Sequence, residues 1–207
     1  MRVIFTVIVT LIVVAVLGAG FIYSGMYDVA AVHPDNPLVA RLIHAASDRS
    51  IETRKDAVVV PAGYDAPDKA AAGAKIYAQT CVICHSGPGL KPSAVAAGIN
   101  PGAPPLARAG RSRDPQEDFW VVANGIKMTA MPGFTKSLSE DDIWNIVAFL
   151  KTLPGMSAEE FAKETGLSTE TVPGGKPDAG SAAANSSSQQ GGGPEAGASS
   201  ASAASGG

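Results

Sequence analysis

The sequence predicts a helical protein with one small core, on three observations. Helix-start signals recur at Asn36-Pro37, at Asp114-Pro115-Gln116-Glu117 and at Ser139-Glu140-Asp141-Asp142. Each joins a side chain able to accept from a bare backbone N–H with a proline preset for the first helical place or an acid in the first turn. Apolar residues then return every three or four places, as in Ile143, Ile146, Val147 and Leu150. Finally, residues 3–22 carry no charge at all. The chain has 207 residues, enough for one domain with extensions. A formal net charge of only −3, without clustered Lys and Arg, argues against nucleic acid as a partner.

In chain order, residues 1–27 read as a transmembrane signal anchor. About 20 uncharged residues after Arg2 can cross a hydrocarbon core of about 30 Å as a helix. Gly18-Ala19-Gly20 offers the alternative, a small-residue cleavage site behind a signal peptide. Arg2 marks the cytoplasmic side, and Phe21, Tyr23 and Tyr27 fall where aromatic rings settle at the interface. Residues 28–65 form an amphipathic helix and a linker. Leu38, Val39, Leu42, Ile43 and Ala46 share one face, and Arg41, Asp48, Arg49 and Glu52 the other. Whether that face meets a bilayer or a partner subunit is open. Residues 55–67, with Val58-Val59-Val60 ahead of Pro61 and Gly63, read as an extended strap that wraps the domain C-terminal to it.

Residues 68–81 are rich in helix formers, with Asp68 as the expected cap. Gly73 in mid-helix predicts a close helix crossing. Residues 86–110 hold Gly and Pro at short intervals, the composition of a long ordered loop, which is uncommon without a function. The helix from Asp114 carries Phe119, Val122 and Ala123 as its stripe, and Gly125 is expected to end it in the left-handed conformation. Trp144 and Phe149 flank the stripe of the next helix as core residues, and Pro154-Gly155 stops it. Residues 156–173 hold a further short helix at 157–165. Residues 174–207 are Gly, Ser, Ala and Gln with almost no large apolar side chain, a composition predicted to stay disordered.

The chemistry is concentrated in Cys81-Val82-Ile83-Cys84-His85, which holds both cysteines of the chain. Two thiols three positions apart can add across the vinyl groups of one haem, giving one covalent haem c, and the histidine behind them can ligate its iron. A thiol–disulfide pair would leave His85 without a role, and a closed zinc site would need a second ligand pair. For the opposite face of the iron Met131 is the candidate, within Met128-Thr129-Ala130-Met131-Pro132, between two helix signals. Its soft thioether favours ferrous iron, and Pro132 stiffens the loop. Met128 and an open or histidine-ligated position are the alternatives. His33 and His44 read as solvated interface histidines, with a second-ligand or quinone-contact role as the alternative.

The helix ending in Cys84-His85, Pro104-Pro105-Leu106, the Asn124-Gly125-Ile126 turn, Met131-Pro132 and the helix from Ile143 to Pro154 together resemble a class I monohaem cytochrome c. Within it they are similar to the cytochrome c domains of cbb3-type oxidases. The resemblance spans residues 66–155, the haem domain. It implies a small all-α fold whose first and last helices cross near Gly73. It also implies that a proline carbonyl accepts the second ring N–H of His85, with Pro104 the better match and Pro88 its competitor.

The function this implies is transfer of single electrons, not enzymatic catalysis, since no acid, base or nucleophile cluster is visible. The expected partners are redox proteins: a dehydrogenase, a quinol-oxidising complex or a terminal oxidase. The chain would act as a subunit or tethered carrier of a respiratory chain in the bacterial cytoplasmic membrane, single-pass, with its haem domain in the periplasm and lipid around its N-terminal helix. Lys127, Lys136, Arg108, Arg111 and Arg113 would form a basic docking patch, or merely a solvated surface. The competing class is a gas-binding or peroxide-reducing haem protein with an open sixth position.

Overall fold

Asn36 acts as its position predicts: its side-chain oxygen accepts from the N–H of Leu38 at 3.0 Å, and Pro37 starts the helix. The same logic sets most of the chain, described over residues 1–108 and 114–167 in a computed structural model. The elements are α1 (Arg2–Tyr23), α2 (Pro37–Lys55), α3 (Pro67–Thr80), α4 (Val82–His85), α5 (Ala94–Gly98), α6 (Pro115–Asn124), a 3₁₀ turn (Phe134–Lys136), α7 (Glu140–Thr152) and α8 (Ala158–Thr165). All are helical. The expected tail at 174–207 lies outside the described residues, as do Arg111 and Arg113.

α1 has 22 residues and a mean hydropathy of 2.8 over its best window, and none of it is buried. It is long and apolar enough to cross a membrane. At 1.5 Å per residue it spans about 33 Å.

The core forms where α3 crosses α7. A Cβ on Gly73 would stand 1.8 Å from the carbonyl oxygen of Asn145, so only glycine lets the backbones approach this closely. Around the crossing, Ala74, Tyr77, Ile143, Ile146, Phe149, Leu150 and Leu153 are buried. α7 holds its place by a capping box: Ser139 accepts from the N–H of Asp142, whose carboxylate accepts from the N–H of Ser139. Tyr77 packs on Phe149 at 5.3 Å and edge-on to Phe161 of α8 at 6.2 Å. At the other end of α7, Trp144 stacks on Phe119 at 4.4 Å and meets Tyr64 at 5.6 Å. The indole Nε1 has no hydrogen-bond partner among the described residues, so ring packing holds that side chain.

Three expectations need correction. Asp68 does not cap α3. Pro67 takes the first helical place behind Ala66, no side chain caps the end, and Asp68 lies one residue inside, where its charge complements the helix dipole. The ordered loop expected at 86–110 contains a helix not expected there, the short α5, which Ser93 caps by accepting from the N–H of Ala96. Gly125 has the positive φ required of it, 68°, but a ψ of −174° takes the chain out extended rather than left-handed helical.

The strap 56–66 lies against α6 and α7. Lys55 bridges Asp114 at 2.8 Å and Glu52 at 2.9 Å, the Gln116 amide donates to the Val58 carbonyl at 2.7 Å, and Asp65 pairs with Lys151. Lys55 is only 15% exposed. The bond to Lys55 holds the Asp114 carboxyl below the usual carboxylate range, and the bonds to Asp114 and Glu52 raise Lys55 above its ordinary value.

Gly73→Ala is expected to lower stability by about 3 kcal/mol or prevent folding, because a methyl is forced into backbone. Gly98→Ala, where nothing lies within 4 Å, should change little; thermal melts of the two decide it. The Asp114 pairing contributes stability that is complete above the unfolded carboxylate value of about 4 and is lost as pH falls through the lower folded value. Lys55→Met, which leaves Asp114 as the cap of α6, should therefore reduce stability near pH 7 and flatten its loss below about pH 4, as read by denaturant titrations across pH.

Candidate haem site

α3 delivers Cys81 at its end, and the chain turns at once into α4, where the N–H groups of Cys84 and His85 both donate to the Cys81 carbonyl, at 3.1 and 2.9 Å. Both thiols and the imidazole therefore lie within one turn, and the cysteines are unbridged. Three contacts from elsewhere hold that turn. The Tyr77 hydroxyl donates to the Ser86 carbonyl at 2.8 Å, which matters because Ser86 has a φ of 55°, a conformation that side chains other than glycine rarely adopt. The buried Ser93 hydroxyl donates to the Ile83 carbonyl. Phe161 of α8 lies so tightly over Gly87 that a Cβ there would be 2.3 Å from the ring.

His85 Nδ1 lies 3.0 Å from the Pro104 carbonyl, so of the two prolines it is Pro104 that takes this contact. With Nδ1 as the donor, Nε2 is the nitrogen that can face an iron. A cleft of about 370 Å³ opens beside it, lined by Cys84, His85, Leu90, Ala96, Pro105 and Ala107 among others. Burial pushes the Cys81 thiol up to about 11, an effect that outweighs the opposing bond from Thr80, while the nearby Cys84 adds a smaller rise. Thiol–disulfide exchange requires the opposite, an attacking cysteine with a lowered value.

The methionine loop is built on backbone contacts. Thr129 donates to the Ile126 carbonyl at 2.7 Å and accepts from the Met131 N–H at 3.0 Å, while the Ile126 N–H donates to the Met131 carbonyl at 3.1 Å. A Cβ on Gly125 would meet Gly133 and Pro132 at 2.5 Å, so the glycine allows the loop to fold back on the end of α6. Met131 packs partly buried against the same core cluster as Cys81, whereas Met128 is 82% exposed. Met131 is not among the residues that line the cleft beside His85. Lys127, Lys136 and Arg108 are exposed. His33 pairs with Asp28 at 2.6 Å, and His44 is exposed on α2.

These residues fit a covalently held haem. Two thiols and an imidazole share one rigid turn, the imidazole is oriented through Nδ1, and an apolar cleft adjoins it. A helix that ends in this motif and crosses α7 is the arrangement expected of a c-type cytochrome domain. More particularly, residues 68–150 match the family model described as cytochrome C oxidase, cbb3-type, subunit III. This part of the chain is similar to the cbb3-type cytochrome c domains, which supports a c-type cytochrome with covalent haem that transfers electrons. No curated protein and no solved structure matches the chain.

Tyr77, Ser93 and Phe161 are the supporting residues that sequence reasoning missed. Ser93 had a readable signal, a hydroxyl one place before a run of alanines. Phe161 had none, since it lies beyond the matched region and acts through contact alone.

Phe161→Ala is expected to lower stability by about 3 kcal/mol through the cavity it leaves. Because the ring covers Gly87, the loss should be accompanied by faster amide exchange at residues 87–90, measured by hydrogen–deuterium exchange. Unchanged exchange there would mean that α8 does not clamp the loop.

Proposed function

We propose that this chain is a membrane-anchored, single-haem cytochrome that passes single electrons between redox proteins of a respiratory chain, with its haem domain, residues 66–155, in the periplasm. The observation that carries the reading is the shared turn of Cys81, Cys84 and His85, with His85 Nδ1 held by Pro104 at 3.0 Å. Haem c, when bound, supplies a one-electron iron couple. The residues of the chain do the rest. Cys81 and Cys84 would hold the group by thioether bonds, His85 would ligate its iron through Nε2, and Met131 would supply the second protein ligand. Met131 is favoured over Met128 because it is packed while Met128 is in solvent. The apolar residues of the cleft keep water away, which with the thioether ligand raises the reduction potential.

α1 is the membrane anchor in this reading, and α2 with the strap 56–66 fixes the haem domain to the segment C-terminal to that anchor. The contacts of Lys55, Val58 and Asp65 leave little free tether, which favours a subunit that hands electrons to a neighbouring complex over a long-range shuttle. A dehydrogenase, a quinol-oxidising complex or a terminal oxidase would suit as partner. The exposed Lys127, Lys136 and Arg108 would favour an acidic docking face on it.

In the holoprotein, Met131→Ala is expected to abolish the far-red sulfur-to-iron absorption band and lower the reduction potential, while Met128→Ala leaves both unchanged. A wild type that lacks this band and binds carbon monoxide readily at neutral pH would instead mean an open sixth position, the gas-binding or peroxide-reducing alternative.

A further inference from the structure

α2 presents two faces that need different partners. Ala40, Ser47, Ser50 and Ile51 lie along one side and are partly or wholly buried, and the helix packs on α6. Leu38, Val39, Leu42 and Ile43 fall on an adjoining arc, centred about 110° away around the helix and meeting the first where Ile43 shares one stripe with Ser50. Their exposures are 64%, 37%, 63% and 44%. The haem domain thus uses one face of α2, and the apolar face beside it stays exposed, most of all at Leu38 and Leu42.

Three features identify what covers that face. It is continuous with α1, through the exposed Tyr23, Met26, Tyr27, Val29 and Val32. Only residues 24–36 separate the two helices, a stretch of at most about 45 Å even when fully extended. The stretch is shorter than that here, because it is folded by Asp28, which pairs with His33 and accepts from the Ala30 N–H, and is tied to the haem domain by Asn100, which donates to the His33 carbonyl at 3.2 Å. Any surface that α1 enters is therefore always within reach of α2, at a high effective concentration. The third feature is charge: residues 37–49 hold Arg41 and Arg49 against a single acid, Asp48. An apolar stripe bordered by arginine suits an anionic lipid surface.

We propose that the first half of α2 lies in the headgroup region of the bilayer, its Leu38, Val39, Leu42 and Ile43 face buried among anionic phospholipids. The second half meanwhile carries the haem domain on the adjoining side. The placement rests on α1 being the membrane anchor of the proposed function. It makes α2 a rigid shelf that sets the height and tilt of the haem domain over the membrane.

The test is spin-label accessibility in the full-length holoprotein, reconstituted in vesicles of phosphatidylcholine with phosphatidylglycerol. Cys81 and Cys84 are consumed by haem there, so a single introduced cysteine takes the label. Labels at Leu42→Cys and Val13→Cys are expected to collide with oxygen several-fold more than with a water-soluble nickel chelate. A label at Asp48→Cys, on another side of α2, should show the reverse. The Leu42→Cys ratio should fall in vesicles of phosphatidylcholine alone. A lipid-exposed label at Val13→Cys beside a nickel-exposed one at Leu42→Cys would overturn the placement of α2 and leave the anchor standing. Nickel access at Val13→Cys would overturn both. Dipolar broadening at Leu42→Cys, with protection from both reagents, would assign the face to a second copy of the chain and overturn the proposal. A ratio indifferent to phosphatidylglycerol would overturn its anionic component.

Discussion

The structure depends on one contact between two backbones, the approach of Gly73 in α3 to Asn145 in α7. No side chain intervenes, so the aromatic residues on either side of the crossing are drawn into registration: Tyr77 with Phe149 on one side, Trp144 with Phe119 on the other. Tyr77 then does a second task, since its hydroxyl reaches the Ser86 carbonyl beyond the haem motif. The turn that carries Cys81, Cys84 and His85 is thereby coupled to the packing of the last helix, and its unusual Ser86 conformation is held by the core rather than by local preference.

Electrostatics plays a narrower part. The ion pair of Lys151 with Asp65 lies at the rim, where water weakens it, whereas that of Lys55 with Asp114 is largely sheltered and contributes to stability as well as position. They keep the strap 56–66 against α6 and α7, and Tyr64 covers one edge of Trp144 as a result. Since the segment from Lys55 to Asp65 is bound along much of its course, little of the chain between α2 and α3 is left free to move.

What was legible in the sequence was what depends on near neighbours in the chain. Asn36, Asp114 and Ser139 signal helix ends because the backbone groups they satisfy are two or three residues away, and all three do so. Gly73 was legible because glycine in mid-helix is unfavourable unless something approaches it. The haem motif and its resemblance were readable for the same reason, as a short string. Asp68 misled because proline at the preceding residue competes for the start of the helix, and both patterns look alike in one dimension. What stayed hidden lies between segments far apart. The clamp of Phe161 on Gly87, the Ser93 bond to Ile83 and the two-sided character of α2 each need the fold before they can be seen. Periodicity found the apolar stripe of α2 but could not say that the haem domain would use a different side.

The family signature ends at residue 150, and the structural support does not. Phe161 is fully buried against Tyr77 and Phe149, and Tyr64 lies on Trp144, so residues from outside the matched stretch cover it at both of its ends. Cut down to the signature alone, the polypeptide would bare two greasy aromatic patches to water. The module able to move intact from one gene to another is accordingly longer than the string by which it is recognised.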